Sequence, residues 1–260
     1  MLDHYIRPLD WDKATEYEGG YRNQILHHNN RSMVSVSLVP AGHSGPPRHI
    51  HTSDQTYMVI KGETTIELGD EVHTVAAGRA IFIPAGVPHR NWNASDSEEI
   101  HIDVLTPGFE PDAPVVIPAD DPDTKGLPFY VTDEAAPKET PFQGFRIHWL
   151  TDYKSGARTG MINIAEVDPG GGSPPTHIHG FDQYYFVLEG TLSIQMGLDQ
   201  LEAGPNTLVV VPAGVPHKQW NEGDVMERHM TVNAPSPPKY TSPEDPWDVG
   251  VDFGPSGAAH

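Results

Sequence analysis

His49 and His51 stand two residues apart, and His89 follows a Pro-Ala-Gly-Val-Pro turn further along the chain. In a strand, residues i and i+2 share a face, so the first two imidazoles project into one space while Ile50 points the other way. Gln55 comes next, with Tyr57 and Val59 on its own face. The proline-bounded turn fixes where the His89 ring lands. A lone histidine is more often a satisfied structural residue than a ligand. Here the set recurs as His177, His179, Gln183 and His217. Imidazoles gathered in an apolar interior cost desolvation energy unless each finds a partner. The pattern therefore predicts one divalent transition metal per copy: Fe, Ni, Cu, Mn or Co, with Zn possible.

The elements that must position these residues are themselves duplicated. The two copies align at a constant offset of about 128 residues, a spacing too long for a solenoid unit and right for a repeated domain. The first reads PPRHIHTSDQTYMVIKG and then IPAGVPHRNWN; the second reads PPTHIHGFDQYYFVLEG and then VPAGVPHKQWN. This predicts a first domain over 1–118, a Pro- and Asp-rich linker over 119–140 and a second domain over 141–260. Within each copy, short apolar runs end at Gly, Pro or Asn. Examples are Thr64 to Leu68 and Ala80 to Ile83. Such runs are strands of a sandwich or barrel, and no stretch supports a helix of three turns.

These motifs resemble the cupin superfamily. Its first motif has the form G-x5-H-x-H-x3,4-E-x6-G and its second G-x5-P-x-G-x2-H-x3-N. The first copy matches through His49, His51, Gly62, Gly78, Pro84, Gly86, His89 and Asn93. The second matches through Gly171, His177, His179, Gly190, Pro212, Gly214, His217 and Asn221. The resemblance implies an all-β protein of two cupin (jelly-roll) β-barrels, each with its metal inside. The chain departs from the pattern in three ways. Gln55 and Gln183 replace the usual glutamate, His43 replaces an opening glycine, and Asn206 replaces a turn glycine. Asn is the next-best residue for a positive φ, so Asn206 is expected to keep that turn.

Glutamine ligates weakly through its amide oxygen and cannot act as a base. A divalent metal with three neutral histidines and a glutamine keeps its full charge. That favours a chelating anion such as an enolate, a phenolate or a 2-oxo acid. The chain is similar in motif to the quercetinase-like dioxygenases, and in ligand set to the bilobal isomerases of bacilysin biosynthesis. A dioxygenase using O2 is the first expectation. A non-redox isomerase or cyclase is the second, and a small-molecule binding or sensor protein the third. Gln55, Tyr57, Gln183 and Tyr185 are the candidate catalytic residues, placed to orient substrate or pass protons.

Other residues carry weaker signals. Asn91 and Gln219 lie two beyond the last histidine of each set and are expected to look inward. His101 and His229 should face away from the apolar set of their strands and are read mainly as structural. Trp92 and Trp220 are expected to pack outside, His27 and His28 to lie at the surface, and the run Asp96 to Glu99 to be a solvated turn. Arg31 and Arg158 are weak candidates for receiving a substrate carboxylate.

With 36 acidic against 16 basic residues, the formal charge of −20 repels a phosphate backbone and argues against nucleic acid and anionic membrane partners. The chain has no cysteine, so disulfides, thiolate nucleophiles and Cys-ligated metals are excluded. No apolar run nears the roughly 20 residues of a membrane helix, and the polar N-terminus reads as no secretory leader. A cytoplasmic protein is expected. Exposed sheet edges make a homodimer a candidate assembly.

Overall fold

The computed structural model describes residues 4–110, 112–119, 130–131, 138–140, 142–152, 155–172, 175–236 and 249–250. Each half of the chain folds into two facing β-sheets, one of seven strands and one of five. In the first half the larger sheet is built around Asp54–Lys61, Glu99–Thr106 and Met33–Val39. The smaller one holds His49–Ile50, His89–Trp92 and Glu63–Leu68. The second half repeats this with Asp182–Glu189, Glu227–Ala234 and Met161–Val167 against His177–Ile178, His217–Trp220 and Leu192–Met196. The expected jelly roll is thus present in each half, as two sheets rather than a closed barrel. Among the described residues, helical structure is limited to single turns such as Trp11–Lys13 and Glu18–Gly20.

Side-chain alternation explains why the two large sheets are apolar on both faces. Tyr57 and Val59 point into the first half's interior with Ile66 and Leu68. Met58, between them, points outward into a second core with Val34, Ile102, Phe186, Met230 and Val232. The two halves therefore pack large sheet against large sheet, and one apolar layer serves both. They also exchange strands. Ile6–Pro8, at the start of the chain, pairs with Thr207–Val211 of the second half. Tyr130–Val131, within the segment read as a linker, pairs with Ala80–Ile83 of the first.

Two backbone details hold the motif turns. Gly62 and Gly190 have φ of +69° and +70°, and a Cβ on either would meet a backbone carbonyl at 2.5 or 2.6 Å. No other residue fits there without movement. Asn206 has φ of +59° and is the one described non-glycine residue with positive φ, as its place in the motif predicts.

Candidate metal centres

Antiparallel pairing brings the histidines together. His49 lies directly opposite His89 in the sheet, and His177 directly opposite His217. His51 and His179 enter from the turn after each short strand. Ring centroids in the first half are 4.3, 4.7 and 5.1 Å apart; in the second they are 4.4, 4.8 and 5.7 Å apart. All six rings are buried, and within each trio the candidate ligand nitrogens lie within 4.8 Å of one another.

The tautomers are set by backbone carbonyls. His49, His51 and His89 direct Nδ1 at the carbonyls of Pro47, Val115 and Val87, at 2.7, 2.6 and 2.8 Å. His177, His179 and His217 do the same to Pro175, Phe181 and Val215, at 2.9, 3.0 and 2.9 Å. A carbonyl accepts only, so each Nδ1 carries the proton and each Nε2 presents a lone pair. Burial opposes protonation at those sites. It lowers the pKa of His49 to about 4 and of His217 to about 3, and carries His89 well below its ordinary value. The result is lone pair facing lone pair. His49 and His51 meet Nε2 to Nε2 at 3.2 Å. His89 Nε2 and Gln55 Oε1 are buried with no hydrogen-bond partner. In the second half Gln183 Oε1 stands 3.2 Å from His179 Nε2 and 3.0 Å from His217 Nε2. Converging, unprotonated donors of this kind fit a cation and little else. His49, His51, His89 and Gln55 would hold one metal, and His177, His179, His217 and Gln183 a second.

The groups behind the ligands differ between halves. Gln55 donates its NH2 to Asp103 at 3.1 Å, and Asp103 also accepts from Ser37 at 2.8 Å. His101 bridges Asp103, at 3.4 Å, and the Glu99 carboxylate, at 2.8 Å. Burial pulls the His101 pKa down, but Glu99 and Asp103 outweigh it and raise the pKa to about 10. In the second half Gln183 donates to Asn233 at 2.9 Å, and Tyr185 donates toward the oxygens of Gln183 and Gln219. His229 keeps its carboxylate, Glu227, at 2.9 Å, but Thr231 occupies the place of Asp103. Burial raises the Tyr57 and Tyr185 phenols, so both stay protonated at neutral pH.

A cavity of about 470 Å³ opens beside the first trio. Its wall includes His49, His51, Gln55, Tyr57, Tyr21 and Asp103. This is an ordinary size for a small-molecule site.

Several expectations need correction. Glu99 is no part of a solvated turn; it is fully buried against His101. His27 is buried too, 4.7 Å from the Tyr184 ring of the other half and 3.0 Å from Arg7. His28 is the exposed member of that pair. Arg31 forms an ion pair with Asp182 across the two halves at 3.0 Å. Arg158 is exposed. Trp92 and Trp220 lie partly exposed under Arg90 and Lys218. Asn91 is buried, and Gln219 is buried against Tyr185, as expected. Sequence reasoning missed Asp103 and Glu99. The signal was present, since Glu99, His101 and Asp103 follow the same i, i+2 spacing as the ligands.

The cupin domain family matches residues 35–105 and 163–232, and the chain belongs to that family. It is a bicupin with two metal-binding histidine trios. Among curated proteins, an uncharacterized protein of Streptomyces coelicolor is 33% identical over 88 residues, 34% of this chain and 80% of that protein. The H2HPP isomerase of Bacillus subtilis is 32% identical over 93 residues, 35% of this chain and 39% of that protein. Among solved structures, a putative glyoxylate induced protein of Pseudomonas aeruginosa aligns over 91% of this chain and 90% of its own, with TM-score 0.71 and 18% identity. The Bacillus subtilis oxalate decarboxylase, studied for its Mn(II) centres, aligns over 94% and 79%, with TM-score 0.66 and 14% identity. At such identities the structural likenesses establish the fold. No described helix is long and apolar enough to cross a membrane.

Proposed function

We propose that the protein is a metal-dependent enzyme that moves a proton, and with it a double bond, within a small chelating substrate bound in the first half's cavity. The substrate class is an enol, a phenol or a 2-oxo acid. The observation that carries this reading is the company Tyr57 and Asp103 keep. A phenol held protonated and a carboxylate share the cavity wall with His49, His51 and Gln55. A proton donor and a proton acceptor beside one metal suit an allylic or keto–enol shift. When bound, the divalent cation supplies a Lewis-acid centre for the substrate oxygens. Asp103 accepts the proton from one carbon and Tyr57 gives one to another; the proton on Asp103 then passes back to the Tyr57 phenolate through solvent in the cavity, so substrate and protein both keep their atoms. Tyr21 and Tyr57 line the wall beside the ligands, and the amide of Gln55 orients one substrate oxygen. The resemblance to an isomerase over about a third of the chain supports the same choice. Mn, Fe, Co or Zn each serve this role, because no electron is exchanged.

The test is substrate turnover under argon and under air, in D2O, followed by NMR. Equal rates with deuterium entering one carbon are expected, and Asp103→Asn should abolish the exchange. Oxygen uptake matching turnover would overturn the reading and restore the dioxygenase expectation.

A further inference from the structure

We infer that Asp103 has a second role in the resting site, locking the first metal's amide ligand in one orientation, and that Asn233 gives the second site a weaker, reversible version. The inference concerns coordination and holds whichever reaction the site performs.

An ionised carboxylate only accepts hydrogen bonds, so Gln55 can present nothing but its NH2 to Asp103. Its carbonyl oxygen is thereby turned away from Asp103, in the cavity wall that His49 and His51 share, where it has no hydrogen-bond partner. Asp103 is itself immobilised. Ser37 gives its one hydroxyl proton to Asp103, so Tyr21, 3.0 Å away, must donate to Ser37. His101 bridges to Asp103 on the same oxygen and is anchored by Glu99 behind it. Glu99, His101, Asp103 and Gln55 are all at most 5% exposed. A chain of four buried polar groups so ends on one ligand atom, Gln55 Oε1, which has no other partner.

In the second half this chain is cut. Thr231 stands at the Asp103 position, and the group opposite Gln183 in the sheet is Asn233, where the first half has Leu105 opposite Gln55. An asparagine offers an oxygen or an NH2 with equal ease, so Gln183 can pair with it either way round. Only the first amide has a partner that admits a single orientation; Gln183 is held by Asn233 and by the Tyr185 hydroxyl, each of which can donate or accept. A carboxylate behind the ligand also makes its oxygen a stronger donor. The two sites therefore differ in affinity although their four ligands are identical, and the first fills before the second.

Co(II) serves as the probe, because its visible absorption reports how many ligands it has. Full-length apoprotein is titrated, with His177→Ala used to isolate the first site. Asp103→Thr copies the second half's own residue, and circular dichroism melting checks its fold. We expect first-site affinity to fall about 10- to 100-fold, with a changed absorption spectrum. Adding Leu105→Asn imports the second half's amide and should recover part of the lost affinity, up to that of the wild-type second site and no further, with that site's spectrum. In a Gln55→Ala background, Asp103→Thr should cost nothing more. Wild-type affinity and spectrum in Asp103→Thr would overturn the proposal. So would a loss that Leu105→Asn does not lessen, or one that persists without Gln55. Wild-type protein that takes up no Co(II) would instead remove the metal site itself.

Discussion

The two halves carry the same four ligands on the same strands, with every Nδ1 held by a backbone carbonyl two residues before or after it or, at His51, from Val115. What surrounds the ligands is different. In the first half Tyr57 lies flat against His101, with ring centroids 4.5 Å apart and planes at 23°. In the second Tyr185 meets His229 edge-on, at 72°, and turns its hydroxyl to Gln183 and Gln219. One methylene contributes to this. Gln219 reaches the phenol, whereas the shorter Asn91 leaves both ends of its amide buried without a partner. Asp103 is replaced by Thr231, and Leu105 by Asn233. The six histidines and two glutamines recur in both halves, and the differences fall on the groups behind them. Ligand identity says that a metal binds; the residues behind it say what the metal is used for.

That difference is open to direct attack. The largest expected effect is on turnover. His49→Ala and His177→Ala should each remove one metal equivalent, read by elemental mass spectrometry. If the cavity with Asp103 is the working one, His49→Ala should cut kcat by about a thousandfold, the weight of losing several kcal/mol of charge stabilisation. His177→Ala should leave kcat within about tenfold of wild type. Equal losses would mean that both halves catalyse, and the comparison would lose its meaning.

The next effect is on stability and its pH dependence. Glu99 and Glu227 are both fully buried against a histidine. Removing one partner of a buried pair costs about 3 kcal/mol, so Glu99→Gln and Glu227→Gln should each lower the denaturation midpoint. The pH profile adds a second readout for the first pair. The folded-state pKa of His101 is raised to about 10, above its unfolded value. Its contribution is therefore complete below about pH 6.5 and is lost as pH rises through 10. Glu99→Gln should flatten the alkaline limb of wild type. At the other end, His49 and His217 stay neutral in the fold to about 4 and 3. Those depressed values make apoprotein stability fall as pH drops below about 6.5. Bound metal should move this acid limb lower and leave the alkaline one in place. Urea titrations from pH 4 to 10, with and without metal, would decide it.

Much of the site was legible because it depends on short-range rules. The i, i+2 spacing of His49 and His51, the proline-bounded turn before His89, and the positive φ of Asn206 follow from local chemistry, and each is where the spacing puts it. What failed depends on the other half or on pleat parity. Glu99 follows Asp96, Ser97 and Glu98, and a run of charges reads as solvated. Yet it begins the strand Glu99–Thr106 on the face of His101, and parity prevails over composition. His27 is buried by Tyr184, more than 150 residues away in sequence, which nothing near position 27 announces. The strand Ile6–Pro8 is three residues long, too short to show alternation, and it joins the sheet of the distant half.

The smallest expected effect tests whether the halves speak to each other. Arg31 and Thr159 occupy equivalent positions of the repeat, and each reaches into the opposite half. Arg31 pairs with Asp182 at 3.0 Å, and Thr159 comes within 2.7 Å of Asp54. Asp182 and Asp54 immediately precede the ligands Gln183 and Gln55, and each carboxylate also caps a backbone N–H, at Ala213 and Ala85. The link into the second site carries charge, while the link into the first is a neutral hydroxyl. Arg31 is over a third exposed at 38%, so solvent screens the pair. Arg31→Ala should cost less than about 1 kcal/mol of stability. Its Co(II) affinity should change at the second site, by about threefold or less, and stay constant at the first. Thr159→Val should show the converse. A change at the near site instead of the far one would mean that these contacts brace their own loops and carry nothing across the shared apolar layer. Matched, crossed changes would make Asp54 and Asp182 the points where each half holds the other's ligand in register.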